Sequence, residues 1–199
     1  TIQGSRLEAG GDLSLKAEKD LKLQASENIR QQSNDSSSRS TGFGVTLFAN
    51  GIGVDASASR SQANSRTEER TQVASVVNAG GTATLASGND TNLVGAQVRA
   101  DRIEAEVGGD LNIHSLQDTS STRGKSSSAG IGLGFGVGGP SLNVSVGRGQ
   151  LSADYASVQQ QAGLFAGAGG FDVQVSGKTE LVGGAIVGAQ GANNQLSTG

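Results

Sequence analysis

A short glycine-led motif recurs along the chain and limits, more than any other feature, what the sequence can fold into. Two glycines are followed by alternating polar and apolar residues in the segments 10–15, 80–85, 108–113 and 169–175. A period of two, with turn residues between the segments, predicts β-strands. Strands this short cannot bury one face alone, so each copy of the motif has to stack on neighbouring copies.

The amino-acid composition favours thin stacked layers over a helical bundle. Glycine accounts for 32 of 199 residues, aromatic residues make up 3%, and Cys, Met and Trp are absent. Without large side chains, the core has to be built from aliphatic residues in layers about 4.8 Å apart. We therefore predict an all-β chain with almost no helix, in which parallel strands dominate residues 7–25, 81–115 and 170–190.

The alternation also predicts which side chains face the interior. The predicted interior residues are Leu13, Leu15, Leu21, Leu23, Leu85, Leu93, Val98, Ile103, Leu111, Ile113, Val173, Val175, Leu181 and Ile186.

A longer repeat of nearly ninety residues is superimposed on the short motif. Residues 91–95 (TNLVG) match residues 179–183 (TELVG), and Asp20 matches Asp110. The predicted organisation is a single segment of a larger protein, with one repeat at about 11–80, a second at about 81–169 and a partial third at 170–199.

Each repeat carries a predicted β-hairpin after a serine-rich stretch, at about 41–60 and about 129–149. Asn50-Gly51 between two alternating runs is a strong hairpin signal, because both residues tolerate the positive φ of a tight turn. No structure is assigned to residues 61–77 and 150–166. The candidate interaction residues are the apolar side chains of the hairpin arms, namely Phe43, Val45, Leu47, Phe48, Ile131, Leu133, Phe135 and Val137.

Two interpretations of these hairpins stay open at this point. In the first, each hairpin lies flat against the stacked strands and its apolar face covers apolar side chains. In the second, the arms are exposed and pair with each other or with lipid, since nine to eleven residues is the length at which a strand can span a membrane. We expect the hairpins to be the functional elements and the stacked strands to be their scaffold.

Little in the sequence suggests chemistry, and the predicted protein is not an enzyme and has no cofactor or metal. His114 is the only histidine and has no recognisable nucleophile motif, so we expect it to face solvent or stack between layers. Asp101, Glu104 and Glu106 lie close to arginines and are interpreted as surface charge rather than as a catalytic carboxylate pair. The net charge of −3 and the scattered basic residues argue against a nucleic-acid partner.

Several stretches together resemble a known family. They are residues 88–98 (GNDTNLVGAQV), 109–119 (GDLNIHSLQDT), 154–158 (DYASV), 169–173 (GGFDV) and 196–199 (LSTG). They resemble the haemagglutinin-repeat region of two-partner-secreted filamentous haemagglutinins, and especially of the toxin-bearing exoproteins of contact-dependent growth inhibition.

The resemblance implies a right-handed parallel β-helix, or solenoid, with the two hairpins inserted into it. It also implies export through an outer-membrane secretion partner and display on the cell surface of a Gram-negative bacterium. The segment would contact the outer membrane of a target cell and support delivery of a C-terminal toxin domain of the same chain. Two alternatives remain: a structural adhesin stalk for cell contact or biofilm formation, and a polysaccharide-binding or polysaccharide-cleaving β-helix.

Overall fold

The structure is a computed structural model that describes residues 1–199 and contains β-strands and turns without any α-helix. The prediction of an all-β chain is therefore confirmed. The chain divides into two compact units. The stacked unit comprises Thr1–Ile29, Arg70–Thr119 and Ala156–Gly199, and the hairpin unit comprises Arg30–Glu69 and Ser120–Tyr155. The structure contains no helix long and apolar enough to cross a membrane.

Strands are numbered along the chain. Those of the stacked unit are β1 (Ile2–Gln3), β2 (Arg6–Ala9), β3 (Leu13–Ala17), β4 (Leu21–Gln24), β7 (Ser75–Ala79), β8 (Thr82–Ser87), β9 (Thr91–Val94), β10 (Ala96–Val107), β11 (Leu111–His114), β14 (Gly163–Val175), β15 (Thr179–Val182), β16 (Ala185–Val187) and β17 (Asn194–Thr198). The four long strands that form the sheet of the hairpin unit are β5 (Ser26–Phe48), β6 (Gly51–Val73), β12 (Asp118–Gly136) and β13 (Gly139–Ser157).

Strands of the stacked unit pair in parallel and form two sheets. One sheet has the order β1-β4-β9-β11-β15, and the other has β16-β14-β10-β7-β2, with β3, β8 and β17 joining it. The register places like residues opposite each other, so Leu23 lies opposite Leu93, which lies opposite Ile113. These three side chains are fully buried. The prediction that parallel strands dominate residues 7–25, 81–115 and 170–190 is confirmed.

The spacing between paired layers explains the repeat of nearly ninety residues. The carboxylate of Asp90 accepts a hydrogen bond from the backbone N–H of Asp110, 20 residues further along the chain. The corresponding bond from Thr82 to Asp12 joins residues 70 apart, and that from Lys178 to Asp110 joins residues 68 apart. Short layers thus alternate with long ones, and the extra residues of each long layer form a hairpin of the other unit.

A buried or half-buried contact closes each long layer where the chain leaves and returns. Ser75, which is fully buried, donates its hydroxyl to the carbonyl of Gln24 at 2.7 Å. In the second long layer, the hydroxyl of Ser115 accepts the backbone N–H of the buried Ala162 at 2.8 Å. The residues between these contacts are therefore added without interrupting the stack.

Most of the predicted interior residues are buried in one core, and one is not. Leu21, Leu23, Leu85, Leu93, Val98, Ile103, Leu111, Ile113, Val173 and Val175 are buried, while Leu13, Leu15 and Ile186 are partly buried against the same core. Leu181 is the exception, because its side chain is 44% exposed although the parallel register places it opposite the buried Ile113.

The hairpin unit is a four-stranded sheet with the order β13-β12-β6-β5. The predicted hairpin residues form the far ends of these strands, which extend well beyond the predicted hairpins at about 41–60 and 129–149. β5 and β6 have 23 residues each, and β12 and β13 have 19 each. Residues 61–77 and 150–166, which the sequence left unassigned, supply the end of β6, most of β7, the end of β13 and the start of β14.

Glycine at the second position of the motif makes room for the aspartate of the preceding layer. A Cβ on Gly109 would collide with the Asp90 carboxylate, and a Cβ on Gly81 would collide with Asp12. Gly11 occupies the same motif position in the first layer, and a Cβ there would meet nothing within 4 Å. At Gly81 and Gly109 the glycine is thus required by stacking, whereas Gly170 of the last copy has a positive φ of 73°.

We expect Gly109→Ala to lower the free energy of unfolding by about 1–3 kcal/mol, since the added methyl group overpacks the turn. The matched variant Gly11→Ala should be neutral or slightly stabilising, because alanine only reduces the freedom of the unfolded chain. Urea denaturation monitored by circular dichroism measures both. Equal effects at the two positions would contradict the role assigned to the aspartate contact.

Candidate interaction surface on the hairpin unit

Cross-strand contacts fix the register of the four-stranded sheet. Between β5 and β6, the Ser38 and Ser61 hydroxyls are 2.9 Å apart, and Gly44 lies against Asp55. Between β12 and β13, the Arg123 guanidinium donates to the Ser152 hydroxyl at 2.8 Å. Glycines further along β12 keep that register, as Gly130 lies against Ser145 and Gly134 against Ser141.

The contact between the two hairpins is antiparallel as well. The Thr67 and Thr122 hydroxyls of β6 and β12 are 3.2 Å apart, and nearer the turns Gly136 lies against Gly53. The turns at residues 48–51 and 136–139 therefore lie at the same end of the sheet. We call this end the tip.

Since successive side chains of a strand point to opposite sides, this register assigns every residue to one of two faces. Near the tip, one side of the sheet carries apolar side chains on all four strands. This apolar face consists of Phe43, Val45, Leu47, Ile52, Val54, Ile131, Leu133, Phe135, Val137, Leu142, Val144 and Val146.

The apolar face is uncovered. Its large side chains range from 40% exposed at Val54 to 77% exposed at Phe43 and Leu47. These exposures favour the interpretation in which the arms are exposed. An antiparallel sheet ordinarily packs its apolar face on a core and leaves its polar face to solvent. Apolar residues in a contiguous exposed group, unlike isolated ones, mark an interaction surface.

The opposite side, which we call the glycine face, is small and polar near the tip. It carries Gly130, Gly132 and Gly134 of β12, which lie against Ser145, Asn143 and Ser141 of β13. Phe48 also lies on this side, where its ring covers Gly53. The predicted interaction residues therefore share the apolar face, apart from Phe48, which packs on the other side of the sheet.

Basic residues border the apolar face on the side away from the tip. The register places Arg39 opposite Arg60 and places Arg148 in the next row, on the same side of the sheet as Phe135. None of these three arginines makes an ion pair. We refer to Arg39, Arg60 and Arg148 as the arginine border.

Acidic side chains on this side of the sheet lie further from the tip. Asp154 forms an ion pair with Arg123 at 2.9 Å. A hydrogen bond from Arg123 and, as the next largest cause, one from Ser121 hold the pKa of the Asp154 carboxyl below its ordinary value. The ionised form that pairs with Arg123 is therefore favoured. Asp154 is therefore already paired with Arg123, and the arginine border has no ion-pair partner.

The residues considered for chemistry do not form a site. His114 Nε2 lies 3.8 Å from Glu180 Oε1 at the surface. Glu104 pairs with Arg102 at 2.8 Å, and Asp101 accepts the backbone N–H of Gly169. No group of three or more His, Cys, Asp or Glu side chains is arranged to hold a metal ion.

Comparison with known proteins assigns the chain to a family. The family model described as Hemagglutinin repeat matches residues 1–129, which is more than half of the chain. The chain belongs to the hemagglutinin-repeat family, as the sequence resemblance predicted.

Individual relatives narrow this class to a region of CdiA contact-dependent inhibition toxins, to which the chain is homologous along its full length. It is 40% identical to the deoxyribonuclease CdiA of Yersinia pseudotuberculosis serotype O:3 strain YPIII, over 100% of the chain and 19% of that protein. It is also 40% identical to the toxin CdiA of Yersinia pestis, over 100% of the chain and 6% of that protein. A tRNA nuclease CdiA of Escherichia coli strain NC101 is 37% identical, over 100% of the chain and 6% of that protein. The chain thus spans only a small part of these relatives.

Because the chain has no cysteine of its own, an introduced pair of cysteines can only form a disulfide with each other within the chain, which tests the register of β12 and β13. Leu133 and Leu142 lie opposite each other on the apolar face, and we expect Leu133→Cys with Leu142→Cys to form an intramolecular disulfide. Leu133→Cys with Asn143→Cys should not, since these side chains leave opposite faces and their Cβ vectors diverge. Counting free thiols by intact mass after mild oxidation distinguishes the two. Equal oxidation of both pairs would contradict the assignment of the faces.

Proposed function

We propose that this chain is a segment of a secreted toxin exoprotein that supports contact with a target cell and delivery of a C-terminal toxin across the target outer membrane. The single observation that carries the proposal is the uncovered apolar face on the four-stranded sheet of the hairpin unit. Full-length similarity to CdiA proteins supports the toxin context. We infer that the nuclease activities in the names of those relatives reside outside the matched region.

The stacked unit serves as the scaffold in this proposal, and we take it to be a right-handed solenoid. Parallel in-register layers, with Leu23, Leu93 and Ile113 in one column, support the solenoid. Right-handed connection is the rule when one parallel strand follows another in a sheet. We further propose export through an outer-membrane secretion partner and display on the surface of a Gram-negative cell, which follow from the family rather than from any residue named above.

The hairpin unit argues against the two alternatives. A stalk needs only the stacked layers, because each layer is already satisfied by its neighbours. A stalk therefore gives no reason for two long excursions that end in an uncovered apolar face. A polysaccharide-cleaving enzyme would need convergent carboxylates, but Glu104 is paired with Arg102 and Asp154 with Arg123.

Deletion of residues 129–149 from the complete exoprotein removes the far half of the second hairpin. We expect secretion and folding of the stacked unit to persist, because its layers close through Ser75 and Ser115, while growth inhibition of target cells is abolished. A competition assay between inhibitor and target cells measures delivery, and immunoblotting of surface protein measures secretion.

Paired substitutions keep the test decisive if the deletion disturbs folding. Leu133→Asn with Leu142→Asn alters only the apolar face, while Asn143→Gln with Ser145→Asn alters only the glycine face and serves as the matched control. Lost inhibition in the first pair and normal inhibition in the second support the proposal. Normal inhibition by both pairs would show that the apolar face is dispensable and the proposed function is wrong.

A further inference from the structure

We propose that the apolar face and the arginine border together bind an anionic lipid surface, with the sheet lying face-on against it. This inference rests on the proposed function and deepens it by naming the partner's chemistry. In this arrangement the apolar side chains enter the acyl region, and Arg39, Arg60 and Arg148 reach the lipid phosphates.

The side chains on this face combine the two chemistries that an anionic lipid surface offers, apolar and cationic contacts side by side. Large apolar side chains occupy the tip, and the arginine border follows immediately on the same side. The arms that carry the apolar face, residues 40–54 after Arg39 and residues 129–147, contain no charged residue on any strand. Since charged lipid groups lie next to the acyl region, a band of cations beside an apolar surface is complementary to an anionic membrane.

A depression crosses the four strands where the apolar residues meet the arginines. It is lined by Arg39, Arg60, Ala129, Ile131, Val144 and Val146, together with their neighbours. Short side chains, at Ala58 and Ala129, create it between the large apolar residues and the arginines. This apolar depression lies beside two guanidinium groups without ion-pair partners, so it offers apolar contact to an acyl chain next to cations for the phosphate.

The position of Asp55 favours face-on contact over insertion of the sheet across the bilayer. Asp55 lies on the glycine face, against Gly44. A charged side chain is costly inside the hydrocarbon region. In a face-on position this carboxylate stays in water, away from the acyl chains.

Charge distinguishes lipid from a second copy of the chain as the occupant. Two apolar faces could pack as a sandwich, as sheets commonly do. In that case the arginine border of each copy would be covered by a partner whose apolar face offers no carboxylate near the tip. Phosphate groups of a lipid supply the missing negative charge, so the observations favour lipid.

Because the chain contains no tryptophan, the fluorescence of a single introduced tryptophan reports lipid contact at that position in the intact chain. Phe135→Trp places the only tryptophan on the apolar face, and Tyr155→Trp places it on the opposite side of the sheet. With vesicles of phosphatidylglycerol and phosphatidylcholine, we expect the emission of Phe135→Trp to shift to shorter wavelength and that of Tyr155→Trp to remain unchanged. Equal shifts, or no shift at either site, would overturn the face-on arrangement.

The arginine border is tested by Arg39→Gln with Arg60→Gln and Arg148→Gln in the Phe135→Trp chain. Each arginine beside an anionic surface contributes about fivefold to partitioning, so this variant should lose roughly a hundredfold. Lys16→Gln with Lys19→Gln and Lys22→Gln removes as many charges from the stacked unit and should partition normally. Partitioning that is equal on pure phosphatidylcholine vesicles, or equal losses in both variants, would overturn the role of the arginines.

Sedimentation equilibrium without vesicles completes the test. A monomer agrees with the lipid proposal, whereas a dimer that Phe135→Ser dissociates would overturn it in favour of a second copy. The two proposals can fail separately. If vesicles are not bound but deletion of residues 129–149 abolishes delivery, only the lipid proposal fails. If vesicles are bound and delivery survives the deletion, only the proposed function fails.

Discussion

Register between parallel layers is the constraint on which the rest of this structure depends. Each layer presents its backbone to the next, and the aspartate at the turn accepts a backbone N–H from the following layer, as Asp90 does from Asp110. Gly109, which precedes Asp110 in the following layer, leaves room for the Asp90 carboxylate. The stack tolerates additional residues only where they leave and return without shifting this register. Ser75 and Ser115 mark those two points, since each hydroxyl joins the chain that leaves to the chain that returns.

This arrangement gives the two units different roles. The stacked unit satisfies its apolar side chains internally, with Leu23, Leu93 and Ile113 fully buried. The hairpin unit does the reverse, because its apolar face is exposed on all four strands while its glycine face is small and polar. A sheet of this kind gains much less stability from its apolar side chains in water than a buried face does, because most of their surface stays hydrated. Their free-energy contribution is therefore available to a partner, and this is why we place function on the hairpins.

The sequence was sufficient to predict the parts of the fold that alternation controls. The glycine-led motif predicted the parallel strands, and period-two alternation identified core residues such as Leu111. Leu181 escaped this reasoning because alternation assigns a side chain to a face but does not determine how far that face is covered. The full length of the long strands was also missed. Their lower parts, such as Ser33–Ser40, carry polar residues on both faces, so the strands show no alternation in hydropathy.

The apolar face and the arginine border could not be predicted from the sequence as one surface. Each hairpin was visible through its own turn, but pairing between β6 and β12 joins residues such as Thr67 and Thr122 that are 55 positions apart. Local patterns contain no information on such neighbours. Only this pairing brings Phe43 and Phe135 onto one face and assembles Arg39, Arg60 and Arg148 along its border. It also separates Phe48, which the sequence grouped with the other apolar residues, because parity along β5 places it on the glycine face.

The central claim is that the apolar face, and not the glycine face, engages the target membrane. A nitroxide scan along residues 129–137 tests it most directly, using single cysteine substitutions in a chain that has no native cysteine. In the presence of outer-membrane vesicles from a target cell, accessibility to oxygen relative to a water-soluble relaxation agent reports lipid contact at each position. The account predicts a period of two, with Ile131, Leu133 and Phe135 in lipid and Gly130, Gly132 and Gly134 in water. Uniform accessibility along β12, or lipid contact at the glycine positions, would contradict it.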